Sequence, residues 1–481
     1  MAERRAFAVA VVLAAMLRLG LAWRSETISV DGVQYLTAAQ QFGQGAWAKG
    51  LGSFYPPGYP LAVAATYPLV GEWERAGLAV SVVAGVLALW PLAALTRMAG
   101  LEGPALVAAL MAGALAPFPA RYAASVRSEA LYGLLLLAAV WAAAATRVGG
   151  RARHAVAAGM AAGLAYLVRP EGLFLVVPLA VGLGRPRRAV LLVATTALVA
   201  LPYVLYLRHD TGRWLVSRKA ANVLSLGIQQ AVGEGGVVSQ RASDATSLGD
   251  VLASRRDVLA RKLARDGVRT FVAFADCLHW VPVPFVLLGI AGAWRARRPL
   301  EPLLHAVVWF YVAFFALVYV DRRFYTGIVP LALLWGGAGF AAVWSRLARR
   351  GRVWPVLGTA AIVATLLGKN LLVGDSSGWV RTAGAAIAQA GGGRSVVAVR
   401  DIRVAWYAGA RWAALEFPLD AQQLLPLLDG GAQWLVVTEG DLAPDARVLL
   451  EKHGSRVRAA AAVPLGRGRG EAQVYRLGPR E

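Results

Sequence analysis

Between residues 6 and 373 the chain returns repeatedly to apolar runs: 6–23, 77–96, 103–120, 129–146, 155–168, 172–184, 189–207, 279–294, 303–320, 325–345 and 353–373. Most approach the roughly 17–25 residues that a helix needs to cross the hydrocarbon core of a bilayer. A chain of this kind has few ways to fold. Inside a bilayer every backbone N–H and C=O must be satisfied internally, so such runs become helices packed into a bundle. The spacing predicts about eleven transmembrane helices, fewer if the short pair 155–168 and 172–184 is re-entrant. A further Pro-flanked run, 59–71, reads as a helix lying along the outer surface.

Composition agrees. Of the 481 residues, 58% are hydrophobic and only 16% charged, against roughly a quarter charged in soluble domains. The formal charge of +22 does not indicate a nucleic-acid partner, because the basic residues form no single patch. They recur in short clusters between apolar runs, such as Arg4 and Arg5, Arg151 and Arg153, Arg185 to Arg188, and Arg346 to Arg352. With the N-terminus in the cytoplasm these clusters fall on the inner side, as the positive-inside rule requires. The first run has a basic start, but Arg18 interrupts it and no small-x-small cleavage site follows, so it reads as an uncleaved helix rather than a signal peptide. The single Cys277 excludes an intrachain disulfide and a cysteine-based metal cluster.

On this topology the inner loops are short and the bulk lies outside. The first outer loop covers about 24–76 and the second about 208–278, with a probable amphipathic helix in "LGDVLASRRDVLARKLARDGVRTFVAFA". Residues 1–373 form the membrane module. Residues 374–481 alternate strand-like runs ("SVVAVR", "QWLVVTE") with helix-like ones ("AQQLLPLLDG", "DARVLLEKHG") and predict a small α/β domain on the non-cytoplasmic side.

The outer rim carries ionisable residues that membrane placement does not explain. Such groups near a bilayer are costly unless paired or functional. Asp31, in "DGVQYL", reads as the N-cap of a helix 32–43 with Gln34 at N3, and equally as a general base for an acceptor hydroxyl. Tyr35 lies one turn on. "FYPPGYP" stiffens the backbone through Pro56 and Pro57 and presents Tyr55 and Tyr59 as an aromatic wall. Arg127 and Glu129 stand at one helix start, Arg169 and Glu171 in "VRPEG", and Arg322 and Arg323 in "DRRFYTGIVPL". Several guanidinium groups beside carboxylates suit an anionic substrate group next to an acid or base.

Taken in order, the acidic first-loop motif, "YPPGYP", the "SE" helix start, "RPE", the Arg-Phe-Tyr segment heading a late helix and the tail "WYAGARWAALEFP" resemble bacterial membrane glycosyltransferases of the GT-C superfamily. Within it, the protein O-mannosyltransferase and aminoarabinose–lipid A transferase group is the most similar. The resemblance implies an all-α polytopic membrane fold with an extracytoplasmic domain, placed in the cytoplasmic membrane. It implies a polyprenyl-phosphate-linked sugar donor and transfer to a lipid, glycan or protein acceptor of the cell envelope. Asp31 matches the catalytic aspartate of the first loop. The family often has Asp-Glu there, whereas this chain has Asp31-Gly32, so the second carboxylate is missing from its usual place. Glu129 or Glu171 is the alternative. Arg322 or Arg323 matches the basic residue near the donor phosphate, with Arg127 and Arg169 also open for that role.

The chemistry is consistent on its own terms. A lipid phosphate has a second pKa of about 6 and leaves readily if cations hold its charge. No cofactor is required; a divalent metal is compatible but no His/Asp/Glu cluster has ligand spacing. The rival reading is a transporter or lipid flippase, which places its polar features near the bilayer midplane. Here they gather at the rim, with Arg18 the exception.

Overall fold

The computed structural model describes residues 1–220, 223, 227, 256–296, 298–372, 377–415, 418–465 and 470–478. The beginning of the expected amphipathic helix and the boundary at 373/374 lie outside them. The chain divides into two compact units. One comprises Met1–Ala22 and Gln34–Leu372; the other comprises Trp23–Val33 and Val373–Glu481.

Among the described residues, the regular secondary structure of the first unit is helical. Among the described residues, 7 helices are long and apolar enough to cross a membrane: Ala2–Arg24, Trp73–Met98, Glu129–Gly149, Pro186–Thr211, Glu301–Val318, Val329–Ala348 and Val353–Leu371. Two bent pairs raise the number to 9 if each is one span: Pro104–Leu115 with Pro117–Ala123, bent by 50°, and Leu259–Leu278 with Val283–Ala296, bent by 109°. The remaining two expected spans are helical but shorter, Ala152–Val168 and Pro170–Leu183. The run expected as a span from 279 is thus the second half of a sharply bent pair. Its turn carries His279 at φ 73, a left-handed conformation uncommon outside glycine. Residues Gly58–Val70 form the expected short helix after "YPP".

The other bend has its cause in the sequence. Pro117 and Pro119 lack N–H groups, so Gly113 O and Leu115 O have no helical donor from them. Two side chains satisfy carbonyls at the break. Arg18 Nη1 donates to Ala114 O at 3.0 Å, and Asn370 Nδ2 donates to Leu115 O at 2.9 Å. Both are buried. Arg18, the one charge inside the first apolar run, therefore satisfies a broken helix, in the manner that bilayer-embedded breaks require. Close helix contact depends on small residues: a Cβ on Gly289 would lie 1.9 Å from Trp335 O, and one on Gly339 1.9 Å from Phe285 O.

The second unit is α/β. Five strands, β1 (Val396–Val399), β2 (Arg411–Ala414), β3 (Trp434–Thr438), β4 (Val457–Pro464) and β5 (Glu471–Leu477), form one sheet in the order β2-β1-β3-β5-β4. β1 runs parallel to β2 and β3, and β5 is antiparallel to β3 and β4. Alternation along the strands builds two cores. Val397, Val399, Trp434 and Val436 face the helices Gly378–Gln389 and Ile402–Ala408. Ala398, Leu435 and Val437 face Ala421–Pro426 and Pro444–Lys452.

Candidate active site

The helix carrying Asp31 begins earlier than the sequence predicts, spanning Val30–Gly43. Asp31 is not its cap. Ser29 Oγ accepts from Gly32 N at 2.9 Å, which places Ser29 at the N-cap and Gly32 at N3. Ser and Asp are both strong capping residues, and the expected box was offset by two positions. The half-buried Asp31 stands instead in the first turn, where the helix dipole favours a carboxylate. The segment leading to it is clamped within the second unit. Arg403 Nη1 donates to Thr27 Oγ1 at 3.0 Å, Ile28 O at 3.3 Å and Ser377 Oγ at 3.1 Å. Asp401 holds the same guanidinium through Nη2 at 2.6 Å, and Tyr407 accepts from Ile28 N at 2.9 Å. Tyr407 of the "WYAG" stretch thus helps to hold the segment at Ile28 within the second unit, a link that no local pattern announces.

In the first unit, several predicted residues meet around Arg169. The chain leaves the helix Ala152–Val168 in extended conformation at Arg169 and turns at once through Pro170–Leu175. Gly172 permits that turn: a Cβ there would lie 2.4 Å from Ala165 C. Arg169 is 2% exposed. Its Nη1 pairs with Glu129 Oε1 at 2.8 Å, and its Nε pairs with Glu171. Glu129 opens its own helix directly after Ser128. Ser128 Oγ is 2.7 Å from Tyr35 OH and 3.4 Å from Arg169 Nη1. Burial works against the Arg169 charge, but the Glu171 and Glu129 carboxylates outweigh it and raise its pKa well above the usual value. Arg169 Nη2 is buried with no hydrogen-bond partner among the described residues. An orphaned donor of this kind calls for a ligand oxygen or water.

The aromatic residues pack beside this core. The Tyr35 ring lies 4.4 Å from Tyr55 and 4.9 Å from Tyr59, centroid to centroid. Tyr59 OH donates to Gly77 O at 2.9 Å and lies 2.9 Å from Ser81 Oγ. Burial raises the Tyr59 pKa, so this phenol stays protonated and structural.

Two residues that the sequence does not single out complete the site. The buried ring of Phe324 has three cations around it: Arg169 at 5.4 Å, Lys219 at 5.8 Å and Arg323 at 5.3 Å from its centroid. Lys219 also lies 4.8 Å from the Tyr55 centroid and is 4% exposed. Nothing in "SRKAAN" distinguishes Lys219 from the other basic residues of its loop.

Arg127 and Arg322 have other partners. The Arg127 guanidinium sits over Tyr122 at 5.2 Å, and its carbonyl accepts from Ser81 Oγ at 3.0 Å. Arg322 pairs with Asp276 at 3.3 Å and covers Phe118 at 4.9 Å. Among the described residues no group of three or more His, Cys, Asp or Glu side chains could hold a metal ion.

No family model and no curated protein matches the sequence. Solved structures do match the fold. ArnT from Cupriavidus metallidurans in the apo state superimposes with a TM-score of 0.62 at 16% identity, over 100% of both chains. The same protein bound to undecaprenyl phosphate gives 0.60 at 15% identity, over 98% of each. The Archaeoglobus fulgidus oligosaccharyltransferase in the apo form gives 0.57 at 12% identity, over 90% of this chain and 69% of that one. At such identities the likeness is one of architecture. A helical bundle, a small terminal sheet and superposition over the whole length of ArnT give this chain the same fold as these solved structures.

Proposed function

We propose that this chain is a membrane glycosyltransferase that moves a sugar from a polyprenyl-phosphate donor to an acceptor on the outer face of the cytoplasmic membrane. The observation that carries this reading is the seat of Arg169, Lys219 and Arg323 around Phe324, beside two buried carboxylates and three packed tyrosines. It occurs in a fold whose solved examples include one bound to undecaprenyl phosphate.

The residues divide the labour by their chemistry. Arg169 is largely committed to Glu129 and Glu171, so its role is to hold that core together and offer one N–H from Nη2. Lys219 and Arg323 face the donor phosphate. Asp31 takes the proton of the acceptor hydroxyl as its oxygen bonds to the anomeric carbon. The bond from that carbon to the phosphate oxygen breaks, and the lipid phosphate departs with the added negative charge. Cations placed where charge develops lower the barrier most. No cofactor is assigned to these steps.

The test is Asp31→Asn. Loss of a general base should slow transfer by about 10²–10⁴-fold, with the thermal midpoint of the purified protein unchanged. Mass spectrometry of envelope lipids and glycans, with and without the chain, reads the product. Undiminished transfer by the variant removes Asp31 from the mechanism, and an unchanged envelope removes the enzyme reading.

A further inference from the structure

In the second unit the adjacent parallel strands β1 and β3 send their chains to opposite faces. β1 continues into the helix Ile402–Ala408, in the core with Gly378–Gln389. β3 continues through Glu439–Asp441 into Pro444–Lys452, in the opposite core. At such a switch point the departing chains leave a crevice beyond the carboxyl ends of the strands, the place where open α/β sheets bind ligands. A cavity of about 420 Å³ lies there, within the roughly 300–1,000 Å³ typical of small-molecule pockets. Val399 and Val436 contribute apolar surface, and Val30, Trp379, Arg400, Asp401, Thr438 and Asp441 line the rest.

The lining selects the ligand class. The turn after β1, Arg400-Asp401-Ile402, has no glycine to admit a pyrophosphate,. Carboxylates already occupy the helix starts: Asp401 Oδ1 accepts from Arg403 N at 3.1 Å, and Asp441 Oδ2 accepts from Thr438 N at 2.8 Å and Thr438 Oγ1 at 2.7 Å. Asp401 is paired with Arg403 and Asp441 with Arg400, so the lining carries no surplus of positive charge to favour phosphates and nucleotides. The polar lining includes an acceptor–donor pair, Asp441 Oδ1 with Arg400 Nη1 3.6 Å away, and Trp379 lines the same cavity. Paired hydroxyls can bridge a carboxylate and a guanidinium, and the C–H face of a sugar ring packs on an indole.

We infer that this crevice is a saccharide-binding site, selective for neutral or amino sugars over uronates. Val30, which lines it, immediately precedes Asp31 in the chain. If the transferase reading holds, the site takes a glycan acceptor; that role rests on the reading, whereas sugar binding does not.

The experiment titrates the full chain in detergent with methyl glycosides of hexoses, hexosamines and uronic acids, read by saturation-transfer NMR and tryptophan fluorescence. A hexoside or hexosaminide should bind, and uronides more weakly. Arg400→Ala, at a side chain 71% exposed and so harmless to folding, should weaken binding about tenfold, the effect of losing one charge-assisted hydrogen bond. Trp379→Ala should weaken it further. The site is overturned if no glycoside binds, if Arg400→Ala binds undiminished, or if only inorganic phosphate or a basic peptide binds. Sugar binding without transfer activity leaves the site standing and removes the transferase reading; transfer without sugar binding does the reverse.

Discussion

Arg169 and Lys219 are both buried cations near Phe324, yet their surroundings give them opposite tasks. Arg169 pairs with the buried carboxylates of both Glu129 and Glu171. Removing it takes a guanidinium away from two buried carboxylates, and breaking a buried pair costs about 3–5 kcal/mol. Arg169→Leu should therefore lower the thermal midpoint sharply, whatever its effect on catalysis. Lys219→Ala removes a cation packed on the Tyr55 and Phe324 rings. It should lower the midpoint less than Arg169→Leu does and weaken binding of polyprenyl phosphate by about tenfold or more. Thermal melts and lipid-phosphate titrations on the two variants separate these roles. Arg169, Glu129 and Glu171 were legible as candidates because charge at a membrane rim is conspicuous. Lys219 and Phe324 were not, because a lysine in a long loop and a phenylalanine in an apolar stretch are unremarkable until folding brings them together. The choice between Ser29 and Asp31 as cap was equally unreadable: both residue types cap well, and a two-residue shift in the helix start exchanges them.

At the level of the helix, the broken pair Pro104–Leu115 and Pro117–Ala123 shows how distant residues complete a local defect. Its cause lies in "PFP", which the apolar run 103–120 concealed as one expected span, and the side chains that satisfy carbonyls at the break come from residues 18 and 370. Asn370→Leu should leave Leu115 O unsatisfied and cost about 1–3 kcal/mol, the penalty for an orphaned buried acceptor. A lowered midpoint with no change in donor affinity is the expected result, and an unchanged midpoint would show that another donor replaces Asn370. Apolar periodicity located nearly every helix of the first unit. The amphipathic helix expected before 279 is present as Arg256–Leu278, and what periodicity did not contain is its sharp bend into the next helix. In the tail, alternation identified strands and helices, but strand order depends on pairings between distant segments that no local pattern contains.

For the molecule as a whole, the distribution of arginine predicts which ends of the bundle face the cytosol. Cys277 is the only cysteine, so a Cys277→Ser background permits single-site labelling in intact cells. Cysteines placed at the exposed positions Glu72 and Glu451 should react with a membrane-impermeant maleimide. Cysteines at Arg151 and Arg350 should react only after permeabilisation. The reverse pattern would put the tail unit in the cytosol, away from any envelope acceptor.

Three like charges gathered on one aromatic ring also bear on what happens after the sugar has moved. Under the proposed reaction the donor is a phosphodiester with a single negative charge, whereas the spent lipid is a monoester carrying about −1.5 to −2 at pH 7. A seat of this kind grips the more highly charged of the two. Turnover would then be paced by how quickly the used carrier escapes, and accumulated carrier would restrain the enzyme that produced it.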